Sequence, residues 1–338
     1  MAGSGAWSTS TASAGVTSNP TIFEKAMAAG SDYDEQLREE VGRGADARTA
    51  YWALVERDIA DAADVLRPSY DAWERTDGYV SVEVDPDLAH DTDGTVDQAR
   101  DLFERLGRPN VMIKIPATVE GLPAITRAVA AGINVNVTLI FSLERYRAVM
   151  EAYLEGLEER VGRGEPVDGI ASVASFFVSR VDTETDRRLP DGHPLRGKAA
   201  VANAKLAYRL FRETFTGARW DALAAAGGRL QRPLWASTST KNPAYPPTLY
   251  VDELIGPDTV NTLAQPSVDA LAAGLGDLRP GTLVERVDEA RAVIEGLADA
   301  GVDFDDVTAT LEREGVAAFS ASFHDALDTL EKKARDLT

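Results

Sequence analysis

Cysteine is absent from this 338-residue chain, and histidine occurs only three times. The lack of cysteine excludes disulfides, thiolate metal sites and cysteine nucleophiles, and it suits a reducing cytoplasm. The histidines are His90, His193 and His324, and no HxH or HxxxH pair can be formed from them. A histidine-built metal site is therefore not expected, and the sequence predicts no metal.

Positive charge is also in deficit, with 35 Lys and Arg against 55 Asp and Glu and a formal net charge of −20. Such a chain repels nucleic acid and anionic membrane surfaces unless basic residues cluster, and no cluster is present. No run approaches the roughly 20 apolar residues of a membrane span, and the first residues lack the pattern of a signal peptide. The sequence predicts a cytoplasmic protein whose anionic ligands are held by a few placed Lys, Arg and backbone N–H groups.

Short β-branched runs alternate with segments of helical period, a pattern typical of βαβ units and a parallel sheet. The predicted strands are Val16–Ser18, Tyr79–Val84, Asn110–Ile115, Asn134–Leu139, Ile170–Val178, Leu234–Ala236 and Thr259–Leu263. The predicted helices are Asp46–Leu66, Val96–Arg105, Gly121–Ala130, Leu143–Arg160, Gly197–Phe215 and Val284–Ala298, with a helical tail over Phe304–Leu330. The breaker-rich segments Asp182–Gly197 and Lys241–Tyr250 are predicted to be surface loops.

Polar residues on alternate strand positions favour a closed barrel over an open sheet. Asn134, Asn136 and Thr138 share one face of their strand, and Glu83 and Lys114 occupy the corresponding face of two others. The predicted fold class is α/β, a TIM (β/α)8-type barrel with its first strand missing and a helical segment at its C-terminal end. Residues 1–14 are predicted to be a poorly ordered segment, and 15–338 a single barrel domain.

Lys114, within the strand VMIKIPA, is the first candidate for chemistry. An amine in a barrel interior loses hydration, which lowers its pKa toward that of a nucleophile able to form a Schiff base. Glu83 on the neighbouring strand could move protons during that reaction. The alternative is a structural ion pair between the two, because interior ion pairs also occur without catalysis.

A set of motifs between Gly15 and about Asp269 gives further evidence of function. They read GVTSNPTIF, VSVEVDP, NVMIKIPAT, GINVNVTLIFS, SFFVSRVD, LWASTSTKNPAY and TLYVDELIGPDTVNTL. In order and spacing the chain resembles the transaldolases, and the last two motifs resemble the form common in actinobacteria. The resemblance implies a Schiff-base enzyme of the pentose phosphate pathway, without metal or cofactor. Such an enzyme moves a dihydroxyacetone unit from sedoheptulose 7-phosphate or fructose 6-phosphate to glyceraldehyde 3-phosphate or erythrose 4-phosphate.

The resemblance also implies roles at the reacting end of the substrate. Lys114 would be the Schiff-base lysine, and Glu83 and Thr138 would position the water used in forming and releasing the imine. Asn19 and Asn136 would hydrogen-bond hydroxyls of the dihydroxyacetone unit.

At the other end of the substrate, Arg180 would grip the phosphate with its guanidinium fork. Ser175 would lie near the dihydroxyacetone unit, and Ser237 would assist Arg180. The family commonly has a second arginine beyond Ser237, where STSTKNP offers Lys241 instead.

Plainer alternatives remain open for three of these residues. Asn19 precedes a proline and could shape a turn. The Thr138 hydroxyl could satisfy a backbone carbonyl, and Arg180 could pair with Asp182 or Glu184.

A family aspartate, carried by a first barrel strand, has no counterpart here, because no acidic residue precedes Glu24. That aspartate would remove a proton during carbon–carbon cleavage, and loss of a general base typically costs about 10²- to 10⁴-fold in rate. A misplaced start codon, a truncated gene and a repurposed relative are the competing explanations. The alternatives to a transaldolase are thus an impaired, sugar-phosphate-binding homologue and a simple aldolase that releases dihydroxyacetone.

Overall fold

The computed structural model describes residues 14–337. These residues form two compact units, here called unit 1 and unit 2. Unit 1 comprises 14–115, 133–135 and 316–337, and unit 2 comprises 116–132 and 136–315. The predicted poorly ordered segment and the missing first strand fall on residues that lie, apart from Ala14, outside the described part of the chain. The single domain over 15–338 stays a prediction.

Seven strands of the described residues are hydrogen-bonded in the order in which they occur along the chain. They are β1 (Gly15–Thr17), β2 (Tyr79–Glu83), β3 (Val111–Pro116), β4 (Val135–Ile140), β5 (Ser172–Phe177), β6 (Gln231–Ala236) and β7 (Val260–Asn261). The pairs β1–β2, β2–β3, β5–β6 and β6–β7 are parallel. Each predicted strand overlaps one of the seven, and the α/β class is confirmed, because a (β/α)8 barrel arranges its strands in this order.

The register between β2 and β3 brings the two reactive candidates side by side in unit 1. Glu83 is the Cα partner of Lys114, and Ser81 is the partner of Met112. Because side chains alternate between the faces of a strand, registered partners point the same way. The shared face predicted from the sequence therefore becomes a direct contact.

Unit 1 holds four helices and the second part of a long one. They are α1 (Pro20–Ala28), α2 (Asp34–Gly42), α3 (Ala47–Ala72), α4 (Thr92–Leu106) and the part of α13 (Phe304–Leu337) that begins at residue 316. Asp46 and Asp91 cap α3 and α4 by accepting from the backbone N–H groups of Thr49 and Gly94. Side-chain caps of this kind satisfy N–H groups that the first turn leaves unpaired.

Unit 2 holds the remaining helices and the first part of α13. They are α5 (Gly121–Ala130), α6 (Leu143–Gly162), α7 (Ser179–Arg188), α8 (Ala199–Thr214), α9 (Ala218–Ala225), α10 (Leu249–Asp252), α11 (Gln265–Ala272) and α12 (Val287–Asp299). Alternation along β5 sends Ser175 to one face, while Phe176 packs against the Tyr146 and Trp235 rings at centroid distances of 5.6 and 6.1 Å. These rings belong to the core of unit 2, since all three side chains are fully buried.

The prediction of a surface loop over Asp182–Gly197 is wrong in its first half, which belongs to α7. Glu184 is buried because its carboxylate pairs with Arg188 at 2.7 Å, one helical turn later. Asp182 is buried because it accepts hydrogen bonds from the Ala200 N–H and the Tyr250 hydroxyl, both at 2.8 Å. Partners distant in sequence thus stabilise a helix whose composition indicates a loop. The second predicted loop, Lys241–Tyr250, is free of helix until α10 begins at Leu249.

No helix within residues 14–337 combines the length and the apolar character needed to cross a membrane.

Candidate active site

The Lys114 amine lies in the interior of unit 1, where strand β3 presents it to two acceptors. Its Nζ donates to the backbone carbonyl of Ser18 at 2.9 Å and to Glu83 Oε2 at 3.0 Å. The Lys114 and Glu83 residues are 4% and 7% exposed. A buried amine and carboxylate in direct contact can exchange a proton without moving, which a Schiff-base mechanism requires.

Burial and pairing act on Glu83 in opposite directions. Removal from water raises the pKa of the Glu83 carboxyl, and the adjacent Lys114 ammonium works to lower it. The balance favours a raised pKa, so Glu83 accepts a proton more readily than an exposed glutamate does. A structural ion pair and a catalytic pair would both show this contact between Lys114 and Glu83, so a functional test is needed to distinguish the two roles.

Asn19, at the end of β1, serves as the N-cap of α1. Its Oδ1 accepts from the backbone N–H of Ile22 at 2.9 Å, so the side chain has the local structural role that the plainer alternative gave it, and its role in substrate binding stays a prediction. The same side chain lines a narrow pocket of unit 1 together with Glu83, Tyr51 and Trp52. Asn19 and Glu83 are therefore brought to one cavity.

In unit 2, strands β4 and β5 bring two of the predicted binding residues together. Ser175 Oγ donates to Asn136 Oδ1 at 2.7 Å, and both side chains are buried. Thr138, two residues along β4, is fully buried, yet its hydroxyl has no hydrogen-bond partner among the described residues. The alternative in which Thr138 satisfies a backbone carbonyl is therefore wrong. A buried hydroxyl without a partner costs about 1–3 kcal/mol, so an oxygen or water placed there would be favoured.

Arg180, the second residue of α7, is half-buried in unit 2. Its guanidinium carbon lies 5.5 Å from the centre of the Phe177 ring. Burial lowers the Arg180 pKa, and Glu314 opposes that effect. A Cβ built at Gly315 would stand 2.9 Å from Leu139 Cδ2 and 3.7 Å from Arg180 Nη1, so a larger residue there would press on Leu139 beside the guanidinium.

The predicted alternative ion pairs of Arg180 are wrong. Among the described residues, Glu184 is engaged by Arg187 and Arg188. Asp182 is held by a backbone N–H and the Tyr250 hydroxyl. The guanidinium therefore keeps its donors for another anion.

Ser237 lies just after β6 and close to the start of α7. Its carbonyl accepts from the Ser179 N–H at 3.0 Å, and the two hydroxyl oxygens are 2.9 Å apart. Ser237 has a φ of 55°, a left-handed conformation that costs a non-glycine residue energy and is commonest at functional sites. Lys241 is exposed, and no contact in the described part of unit 2 draws it toward Ser237.

Two features of this region were missed from the sequence. The Ser18 carbonyl that accepts a hydrogen bond from Lys114 Nζ belongs to the backbone, which carries no residue-type signal. Phe319, whose ring centre lies 5.8 Å from Lys114 Nζ, is one apolar position among many in α13. The described residues contain no cluster of His, Asp and Glu suited to a metal ion.

The buried carboxyl of Asp182 yields a stability prediction. Burial raises its pKa to about 6 from an ordinary value of 3.8. The folded state therefore holds this proton to higher pH than the unfolded state, and stability falls as pH rises through the interval between the two values. At 1.36 kcal/mol per unit of pKa, the free energy of unfolding of wild type should fall by about 2 kcal/mol relative to Asp182→Asn between about pH 4 and pH 7.

Urea unfolding of both proteins at the two pH values measures this difference. Asp191→Asn is the matched control, because the Asp191 side chain is fully exposed at 102%. Parallel pH profiles for wild type and Asp182→Asn would contradict the prediction.

Comparison with known proteins identifies the family. Residues 6–330 match the family model described as transaldolase/fructose-6-phosphate aldolase. A transaldolase of Saccharopolyspora erythraea is 55% identical over 322 residues, covering 94% of this chain and 87% of the relative. A transaldolase of Thermobifida fusca is 55% identical over 324 residues, covering 94% and 88%. Transaldolase 1 of Streptomyces avermitilis is 51% identical over 326 residues, covering 95% and 86%.

The match over nearly the whole chain agrees with the strand order, and it includes both the Lys114–Glu83 pair and the Asn136–Ser175 pair. The chain belongs to the transaldolase/fructose-6-phosphate aldolase family.

Proposed function

We propose that the chain is a cytoplasmic transaldolase of the non-oxidative pentose phosphate pathway. It transfers a dihydroxyacetone unit from a ketose phosphate, sedoheptulose 7-phosphate or fructose 6-phosphate, to an aldose phosphate, glyceraldehyde 3-phosphate or erythrose 4-phosphate. The observation that carries the proposal is the buried contact of 3.0 Å between Lys114 Nζ and Glu83 Oε2. Family membership supports the same activity.

Imine formation starts within that pair. The Lys114 ammonium gives a proton to Glu83, and the free amine attacks the ketose C2 carbonyl to form a carbinolamine. Glu83 returns the proton to the departing hydroxyl, which leaves as water, and the nitrogen lone pair forms the protonated imine. The buried Thr138 hydroxyl, which lacks a protein partner in the described part of the chain, is proposed to hold that water.

Carbon–carbon cleavage then uses the protonated imine as an electron sink. A base takes the C4 hydroxyl proton, the C3–C4 bond breaks, and its electron pair moves toward nitrogen to give an enamine and a free aldose phosphate. The enamine adds to the carbonyl of the acceptor aldose, the base returns its proton to the new C4 oxygen, and hydrolysis of the imine releases the new ketose and Lys114. Atoms and charges balance without an external oxidant, reductant or metal.

The remaining predicted residues are proposed to hold the substrate. Asn19, Asn136 and Ser175 would hydrogen-bond the hydroxyls of the dihydroxyacetone unit. Arg180, Ser237 and Lys241 would bind phosphate, with Arg180 contributing most, because its guanidinium is half-buried and its acidic neighbours Asp182 and Glu184 are held by other groups.

The direct test is borohydride reduction of the protein with fructose 6-phosphate, followed by intact and peptide mass spectrometry. One reduced ketose adduct on the peptide containing Lys114 is the expected result. Folded protein without an adduct would contradict imine chemistry, and bound ketose phosphate without an adduct would indicate a sugar-phosphate-binding protein instead.

A simple aldolase is the second candidate, because the description of the matching family includes fructose-6-phosphate aldolase. The two activities differ in the fate of the enamine, which is transferred to an aldose in one and released as dihydroxyacetone in the other. Turnover of fructose 6-phosphate that depends on erythrose 4-phosphate supports a transaldolase. Release of dihydroxyacetone at an equal rate without that acceptor supports the aldolase.

Substitution of Arg180 by methionine should weaken use of phosphorylated ketoses. Hydrogen bonds to a charged group contribute about 1.5–3 kcal/mol, so kcat/KM for fructose 6-phosphate should fall by about 10- to 150-fold. Activity with unphosphorylated fructose should change little. Lys241→Met is the matched control and should have a much smaller effect, since Lys241 is exposed. Equal losses with both sugars would show that Arg180 acts on something other than phosphate.

A further inference from the structure

We propose that Phe319 is a positioning residue that covers the amine of Lys114, keeps water from it and from the imine it forms, and thereby sets the lifetime of the covalent intermediate. The part of this proposal that concerns the imine rests on the proposed function. The covering of the free amine stands on the structure of unit 1 alone.

The Lys114 amine contacts two hydrogen-bond acceptors and the Phe319 ring. Two of the three N–H donors of the Lys114 ammonium point to Ser18 O at 2.9 Å and Glu83 Oε2 at 3.0 Å. The Phe319 ring centre lies 5.8 Å from the same nitrogen, within the range of a cation–π contact. Phe319 is 3% exposed, so it closes this approach to solvent.

Helix α13 makes two polar contacts close to Phe319, and these contacts hold the ring in place. The next residue, Ser320, donates to Asp87 Oδ1 at 2.8 Å, and His324 Nε2 lies 3.2 Å from Asp87 Oδ2. Asp87 follows β2, the strand that carries Glu83. The contacts of Ser320 and His324 with Asp87 therefore hold the part of α13 that carries Phe319 close to β2, the strand that carries Glu83.

A second contact holds the following turn of the helix. The Arg48 guanidinium carbon lies 4.9 Å from the centre of the Phe323 ring, and Arg48 also pairs with Asp85 and with Asp87. Phe323 is fully buried but belongs to a different turn from Phe319. It is thus a matched aromatic residue on the same helix that makes its cation–π contact with Arg48 instead of Lys114.

The Phe319 ring affects the imine intermediate in two ways. A protonated imine carries a positive charge, which the face of an aromatic ring attracts. Hydrolysis of the imine needs a water molecule at its carbon, and an apolar side chain excludes water. The ring therefore favours the cationic intermediate while it slows the competing loss of that intermediate to water.

The first experiment measures how well Phe319 shields the Lys114 amine when no substrate is bound. Reductive methylation with formaldehyde and cyanoborohydride is followed at each lysine by peptide mass spectrometry in wild type, Phe319→Leu, Phe319→Tyr and Phe323→Leu. Phe319→Leu should raise the labelling rate of Lys114 about fivefold or more by easing local opening, with Phe319→Tyr close to wild type. Lys205 is the internal standard, because it is equally buried but belongs to unit 2.

The second experiment measures the intermediate. Each protein is loaded with fructose 6-phosphate, freed of excess sugar by rapid gel filtration and sampled with borohydride over time. The adduct on Lys114 should decay about 3- to 30-fold faster in Phe319→Leu than in wild type, and Phe319→Tyr should restore the slow decay because it keeps the ring. Phe323→Leu controls for loss of helix packing.

Each outcome decides the proposal. Faster labelling and faster decay in Phe319→Leu, with rescue by tyrosine, support it. Labelling and decay that match wild type, or that Phe323→Leu reproduces, overturn it. Absence of any adduct in wild type contradicts the proposed function, and the labelling result then decides the covering role by itself.

Discussion

Replacement of Lys114 by methionine should abolish the borohydride adduct and lower turnover by about 10⁴-fold or more, the order of loss expected when a covalent nucleophile is removed. Methionine keeps the length and apolar stem of the side chain but has no nitrogen to attack the ketose. The measurements are peptide mass spectrometry after reduction and acceptor-dependent conversion of fructose 6-phosphate. An adduct that persists in this variant would place the imine on another lysine.

The same substitution should change the pH dependence of stability. It removes the ammonium that opposes the raised pKa of the buried Glu83 carboxyl, so that pKa should rise further. A carboxyl with a raised pKa holds its proton longer in the folded state, and stability falls as pH rises through that pKa. Urea unfolding should therefore show Lys114→Met losing stability toward neutral pH relative to wild type. A constant difference between the two proteins across pH would contradict this account.

Replacement of Glu83 by glutamine should lower turnover by about 10²- to 10⁴-fold, the usual contribution of a general acid–base residue. Glutamine can still accept a hydrogen bond from Lys114 Nζ, but it cannot take the proton. The adduct should consequently still form during long incubation with ketose and borohydride, only more slowly. Slow formation on an intact Lys114 distinguishes this variant from Lys114→Met.

A second lysine–glutamate pair, with a buried lysine and a partly exposed glutamate, provides the control. Lys205 Nζ lies 3.0 Å from Glu253 Oε2, the same distance as in the candidate site, and the Lys205 side chain is 4% exposed. Glu253→Gln should weaken folding while leaving turnover per folded molecule unchanged. If Glu83→Gln lowered stability to a similar degree without lowering that turnover, the contact in unit 1 would be a structural ion pair.

The sequence was sufficient for the features that depend on local patterns. Alternating polar and apolar residues around Glu83 and Lys114 indicated both the strands and the face that they share, and the register confirms it. The same alternation predicted the strand face of Asn136, whose contact with Ser175 joins neighbouring strands, while its proposed role came from the family resemblance. These predictions succeeded because strand periodicity places side chains independently of distant contacts.

The features that failed depend on partners distant in sequence. The segment beginning at Asp182 has loop-like composition, and its helix is held by contacts with Tyr250 and Ala200 that no local pattern contains. Of the two acidic neighbours given as alternative partners of Arg180, Asp182 is engaged by the distant Tyr250 hydroxyl, whereas Glu184 pairs with Arg188 one turn along the same helix. The partner that each side chain takes therefore depends on the three-dimensional structure, and composition alone does not predict it.

The cap of helix α1 restricts what Asn19 can offer to a ligand. Because one lone pair of its Oδ1 is taken by the Ile22 N–H, the amide group keeps two N–H donors and a single acceptor position for recognition. Donors outnumber free acceptor positions on the Asn19 amide, so it favours a sugar hydroxyl that presents a lone pair. Aspartate at this position would preserve the start of the helix and lose the donors, which makes helix initiation and ligand recognition separable at a single side chain.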